Sequence, residues 1–129
     1  MMGATPNEIA DAYLRYHARK QEADRWAWEK VEDLIEHDLD GAWRIICALV
    51  SKASSDEALA YVAAGPLENL LVRHGPAVID RVEDESRNNS RLQLALSGVW
   101  GIGAGNPILD RWHALMWKYG FAGGKRRAL

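Results

Sequence analysis

One cysteine, one phenylalanine and four prolines are all this 129-residue chain carries of those types. With a single thiol, no disulfide can form within the chain. Cys47 lies in the apolar run Trp43-Arg44-Ile45-Ile46-Cys47-Ala48-Leu49-Val50, which predicts a buried, inert thiol and not a nucleophile. No apolar run approaches the roughly 20 residues a membrane-spanning helix needs. The opening, Met1-Met2-Gly3-Ala4-Thr5-Pro6, lacks the basic and apolar regions of a secretory signal, so a cytoplasmic address is expected. Period-two alternation never lasts, and Val and Ile cluster inside helical patterns, so no strand is predicted. The four histidines, His17, His37, His74 and His113, are scattered without a close pair or a second cysteine. Metal ligation needs two or more such groups at a usable spacing, so neither a metal nor any other cofactor is expected.

What is present fits a folded, soluble class. Apolar residues make up 48% and charged residues 26% of the chain, close to globular averages, which argues against disorder. A chain of this length buries about two-thirds of its unfolded surface. The net charge of -2 conceals an uneven distribution. Residues 22 to 40 carry eight carboxylates against Arg25 and Lys30, a balance of -6, whereas residues 111 to 129 carry five basic residues and no acid. The plain reading is a solvated helix face and a solubilising tail; the functional one is a recognition surface.

Helix punctuation is legible. Thr5-Pro6-Asn7-Glu8 joins an N-cap, a first-turn proline and a capping-box glutamate, so a helix starts there; it either runs on toward residue 37 or, as the favoured reading, breaks between Lys20 and Asp24. Asp40 is the predicted cap of an almost wholly apolar helix over residues 42 to 52, buried nearly all round. Ser54 with Glu57 and Ser90 with Gln93 read as further capping boxes. Asn106-Pro107 reads as the cap and first turn of a last helix carrying Ile108, Trp112, Leu115 and Tyr119. Gly120, Gly123 and Gly124 then release a flexible basic tail, residues 121 to 129.

The most distinctive text is residues 63 to 76, with Gly65-Pro66 and Gly75-Pro76 ten residues apart. Gly suits the left-handed residue that closes a helix, and Pro suits the next first turn, so each step predicts a stop and a reversal. The expected fold is all-α: one compact domain, residues 1 to 120, of six or seven short antiparallel helices, with a solenoid-like stack of helix pairs as one arrangement.

Candidate chemistry is sparse. The glycine-rich residues 101 to 105 lack both the Lys-Ser or Lys-Thr ending of a phosphate loop and a preceding strand, so a helix connection is the better reading. Glu68 and His74 could supply an acid and a base, but on one helix they differ by about 240° around the axis and ~9 Å along it. As helix-end residues, Glu68 favours the positive end and His74 the negative end. Of the six tryptophans, Trp43, Trp100 and Trp112 fall on apolar helical faces and read as core. Trp26 and Trp28 cannot share one face, so at least one is expected to be partly exposed beside the acidic segment. Lys125-Arg126-Arg127 is too short a basic run, without aromatic platforms, to indicate nucleic acid.

From about residue 24 to 112 the chain resembles a family of small, functionally uncharacterised bacterial helical proteins. The residues that carry the resemblance are the Trp26 region, Asp33-Leu34, Ala42-Trp43 with Ile46, Ala64-Gly65-Pro66-Leu67-Glu68-Asn69-Leu70-Leu71 with His74-Gly75, Asp80-Arg81-Val82-Glu83 and Gly98-Val99-Trp100. The resemblance implies a helical bacterial cytoplasmic protein and brings no catalytic residues with it.

Small size, a core-rich helical body and the lack of a catalytic constellation favour a non-enzymatic protein-protein interaction module, of the kind bacterial immunity or conflict-system inhibitors use. Its candidate partner-binding residues are Trp26, Trp28, Glu32, Glu36, Glu68, Arg73 and His74, with a basic protein as partner. One alternative is a small enzyme assembled from Glu68, Arg73, His74 and Arg111. Another is a homodimeric scaffold whose oppositely charged ends pair between subunits.

Overall fold

Helix α1, Pro6–Arg19, starts where the sequence marks it. The Thr5 hydroxyl accepts the Glu8 N–H at 3.1 Å, and Glu8 Oε1 accepts the Thr5 N–H at 2.9 Å. Those bonds to the ionised form hold the Glu8 carboxyl below its ordinary pKa. The computed structural model describes residues 3 to 99, 101 to 119, 121, 122, 125 and 126. Among them the chain is all-α, as expected, and it falls into two compact units, Met1–Val62 and Ala63–Leu129.

In the first unit, α1 ends at Lys20, whose φ of 54° is left-handed and whose N–H donates to the Tyr16 carbonyl at 2.8 Å. This is the expected break. The residue is a lysine where glycine is usual, and its ammonium lies 5.4 Å from the Tyr16 ring and 5.6 Å from the Tyr61 ring, a cation–π placement that offsets the backbone cost. A 3₁₀ turn, Glu22–Asp24, leads into α2, Arg25–His37, which buries Ala27, Val31 and Ile35 at four-residue spacing. Helix α3, Leu39–Lys52, is capped by Asp38, not by Asp40. Asp38 Oδ1 accepts the Gly41 N–H at 3.0 Å, and a Cβ at Gly41 would lie 2.6 Å from Asp38 Oδ2, so the cap depends on that glycine.

Helix α3 buries Ala42, Ile45, Ile46, Leu49 and Val50, but Trp43, Cys47 and Ala48 are only half-buried and Arg44 is exposed. The helix is therefore amphipathic, which corrects the expectation of burial all round, of a core Trp43 and of a buried thiol. Composition counts apolar residues, whereas burial depends on how many sides find a neighbour. Helix α4, Asp56–Val62, is capped by Ser55, whose hydroxyl accepts the Ala58 N–H at 3.0 Å, in place of the Ser54–Glu57 box. Helices α1, α2 and α3 pack on one another, and α4 packs on α1 and α3.

The second unit revises both expected reversals: the chain stays helical through the first, and at the second two helical stretches meet at a kink. Ala63–Leu67 forms a π-helical turn with Pro66 inside it, and α5, Glu68–Ser86, follows at once and continues through Gly75 and Pro76. A proline within an α-helix clashes with the carbonyl four residues back and leaves it without a donor. Widening to a π turn accommodates the first proline. At the second, α5 kinks: His74 leaves helical geometry (φ -131°, ψ 24°). Pro76 has no N–H for the Val72 carbonyl, and Asn106 Nδ2 donates to that carbonyl instead, at 3.4 Å. Gly75 is buried, and an added Cβ would stand 2.9 Å from Cδ1 and Cγ2 of Ile108. The glycine permits a close packing contact, not a chain reversal.

Helix α6, Ser90–Leu96, is capped by Asn89, whose Oδ1 accepts the Leu92 N–H at 3.0 Å, so the Ser90–Gln93 box is also corrected. Gln93 Nε2 instead donates to the Ser86 carbonyl at 2.7 Å. Helix α7, Leu109–Lys118, starts later than Pro107, because Asn106 Oδ1 closes a local turn by accepting the Ile108 N–H at 3.0 Å. Phe121–Ala122 pairs antiparallel with Lys125–Arg126, a contact too short to alter an all-α fold. Trp100, Gly120, Gly123, Gly124 and the rest of the expected tail lie outside the described residues.

Candidate functional site

The core stripe of α2 dictates what its outer face presents. With Ala27, Val31 and Ile35 turned inward, a rotation of about 100° per residue puts Trp26 and Trp28 on opposite flanks. The arc of about 160° between them, on the side away from the core, takes Glu29, Glu32, Asp33 and Glu36, with Arg25 among them. Trp26 is 42% and Trp28 37% exposed. Both tryptophans thus reach solvent, where the sequence requires only one to do so. Exposed tryptophan is costly in water, which sets this face apart from an ordinary solvated helix.

The acids on this face differ in how they are engaged. Arg25 reaches Glu22 at 3.5 Å and Glu29 at 3.9 Å, and His37 lies 3.9 Å from Asp33. Glu36 is exposed and Glu32 half-buried, and neither makes a hydrogen bond or ion pair among the described residues. Asp24 does not belong to the face. It is buried, and the Arg15 guanidinium donates to both its oxygens, at 3.1 and 3.3 Å, tying α1 to the start of α2. The sequence counted its charge correctly but could not show that it points inward.

The remaining candidates lie on the second unit. Glu68, half-buried at the start of α5, accepts the Gly101 N–H on Oε1 at 3.0 Å, which anchors the glycine-rich loop. A Cβ at Gly101 would lie 2.5 Å from Glu68 Oε2, so the loop's first glycine serves that close approach and not a phosphate. Arg73 is exposed, and His74 is half-buried at the kink. Arg111 is committed elsewhere: its Nη2 donates to Glu83 Oε1 at 2.6 Å and to Asp80 Oδ1, and its Nε to Glu83 Oε2 at 3.2 Å. These bonds raise the Arg111 pKa still further and tie α7 to α5. A concavity of about 200 Å³ lined by Glu83, Arg87, Ala114, Leu115, Lys118 and Tyr119 includes none of Glu68, Arg73, His74 or Arg111.

Several groups escape the sequence reading. Tyr13 is buried and shares a side-chain hydrogen bond with Tyr61; burial is the main cause that pushes its phenol pKa up, with Tyr61 and Glu32 adding to it. The His17 ring stacks on Tyr61 at 3.6 Å between centroids. Tyr13 and His17, four residues apart, could have been placed on one face from spacing alone, but the Tyr61 that meets them comes from another helix. Trp117 is 65% exposed on α7, off the Trp112–Leu115 stripe, and its angular offset was readable. Among the described residues no group of three His, Cys, Asp or Glu side chains could hold a metal ion, and no helix is long and apolar enough to cross a membrane.

The model of a family of unknown function, DUF6869, matches residues 15–119. The chain belongs to that family. None of the curated proteins and none of the solved structures matches it. The match covers all of α2 through α7, so the Trp-flanked face and the kinked α5 both lie within the family's extent.

Proposed function

We propose that this chain is a non-enzymatic cytoplasmic interaction module that offers the outer face of α2 to a basic partner protein, in the manner of a bacterial immunity or conflict-system inhibitor. The observation that carries the reading is the exposure of Trp26 and Trp28 on either side of the carboxylates Glu29, Glu32, Asp33 and Glu36. Tryptophan is enriched among the residues that dominate binding energy. A carboxylate stripe speeds encounter with a cationic surface and fixes its register, and Arg or Lys side chains gain further attraction over the indole faces. The enzyme reading has less support, because Arg111 is held by Asp80 and Glu83 while Glu68 anchors the loop.

Affinity capture from the native host with the wild-type chain and the Trp26→Ala/Trp28→Ala variant tests the proposal. The expected result is a stoichiometric basic protein retained by the wild type and lost by the variant, with its gene beside this one. Equal retention by both, or no stoichiometric protein with either, overturns it.

A further inference from the structure

The outer face of α2 resolves into rows of side chains at four-residue spacing, which are neighbours about 6 Å apart on a helix surface. One row is Arg25, Glu29, Asp33 and His37, and it is answered from within: Arg25 lies 3.9 Å from Glu29, and His37 3.9 Å from Asp33. A second is Trp26 and Lys30, both exposed, followed by the half-buried Leu34, so this tryptophan stands next to a cation. The third is Trp28, Glu32 and Glu36, an exposed indole leading to two carboxylates that make no hydrogen bond or ion pair among the described residues. Glu32 is half-buried, and its charge acts on the buried Tyr13 phenol, so this row borders α1. With histidine neutral the three rows carry formal charges of -1, +1 and -2. A cation approaching α2 is drawn to the third.

We propose that the Trp28, Glu32 and Glu36 row is the part of this face that binds, and that it takes a helix of the partner protein carrying two arginines four residues apart. The inference rests on the reading of α2 as a docking face and names the side chains that face recognises. Glu32 and Glu36 are separated by about 6 Å along the axis, and so are arginines at that spacing, so one guanidinium closes on each carboxylate when the two rows pack together. Arginine fits better than lysine for two reasons. Its planar fork takes a carboxylate bidentately and lies flat on an indole, so the guanidinium on Glu32 also covers Trp28. It is more weakly hydrated than an ammonium, which lowers the cost of closing on a half-buried carboxylate. At Trp26 the same guanidinium would meet the like charge of Lys30.

Calorimetric titration of the full chain with a synthetic alanine-based helical peptide holding two arginines four residues apart tests this, with circular dichroism to check that each variant is folded. In low salt the peptide should bind saturably. Trp28→Ala and Glu32→Gln should each weaken binding at least ~10-fold, as loss of an anchor does, whereas Trp26→Ala should change it less than ~2-fold. The peptide with lysines in place of arginines should bind at least ~5-fold more weakly, because an ammonium offers no fork and no flat face. Arginines moved to a spacing of two should lose as much, since they then point about 200° apart. No saturable binding by the wild type, equal binding of either control peptide, or a loss at Trp26→Ala as large as at Trp28→Ala overturns the inference. If it is overturned while Trp26→Ala/Trp28→Ala still abolishes capture of a host protein, the docking face stands with a different occupant. If that double variant leaves capture unchanged, the face itself falls and this inference with it.

Discussion

Tyr13 is the residue on which pH acts most directly. Its buried phenol keeps its proton in the fold, whereas in the unfolded chain it titrates at about pH 10. The folded state therefore binds more protons above that pH, and its stability is full below about pH 10 and falls as pH rises beyond it. The urea midpoint should drop between about pH 9 and about pH 11, and Tyr13→Phe should flatten that drop, at some cost to its bond with Tyr61. Gly75 presents a steric limit of the same local kind. A methyl group there would meet Ile108 carbons at 2.9 Å, so Gly75→Ala should destabilise by about 1 to 3 kcal/mol in urea denaturation. Ile108→Val removes one of those carbons and should recover part of the loss, leaving the double variant more stable than the sum of the single effects implies.

At the scale of an element, α1, α3, α4 and α6 start on a side-chain cap, but only at α1 is it the residue named, and α7 starts without one. Asp38, Ser55 and Asn89 cap where Asp40, Ser54 and Ser90 were expected. Capping pairs recur in Ser-, Asp- and Asn-rich stretches, and the choice among neighbours is made by which side-chain oxygen lies in reach of a free N–H of the first turn. Asn89→Ala should therefore cost about 1 kcal/mol, while Ser90→Ala should cost no more than a few tenths, both read from thermal or urea unfolding. Helix α5 shows a larger gap between text and structure. Two Gly-Pro steps read locally as two stops, yet a π turn absorbs the first and a kink the second, with Asn106 serving the carbonyl Pro76 leaves without its donor. A second element-scale link is the Arg111 fork on Asp80 and Glu83. Arg111→Met should lower stability in low salt and less so in high salt, because these groups are solvent-facing. Arg111→Lys should recover only part, since an ammonium cannot reproduce the fork.

At the scale of the whole molecule, the sequence isoelectric point of about 6.1 and the opposite sign of the two charged stretches act together. Near that pH the net charge that keeps copies apart vanishes while the local charges persist. Light scattering should show association strongest near pH 6.1 in low salt and suppressed by added salt. Of the candidate site, the exposed tryptophan and acidic stripe of α2 were legible because one helix and its three-residue core stripe determine them. Glu68, Arg73, His74 and Arg111 were not, because contacts from loop residue Gly101 and from Asp80 and Glu83 decide what Glu68 and Arg111 do.

What the sequence by itself determined is what depends on near neighbours along the chain: the all-α class, the capping box at Thr5 and the amphipathic face of α2. What only the tertiary structure decided is whatever depends on a partner distant in sequence. Residues 63 to 76 became a π turn and a kinked helix, and at the kink Asn106 serves the Val72 carbonyl while Ile108 packs on Gly75. Asp24 turned inward because Arg15 meets it there, and α3 left Trp43, Cys47 and Ala48 half-buried while its other side packs on α1, α2 and α4. Local propensity fixes where a helix can begin; the energy of satisfying a carbonyl or burying a side chain, supplied from afar, fixes where it ends and which way it faces.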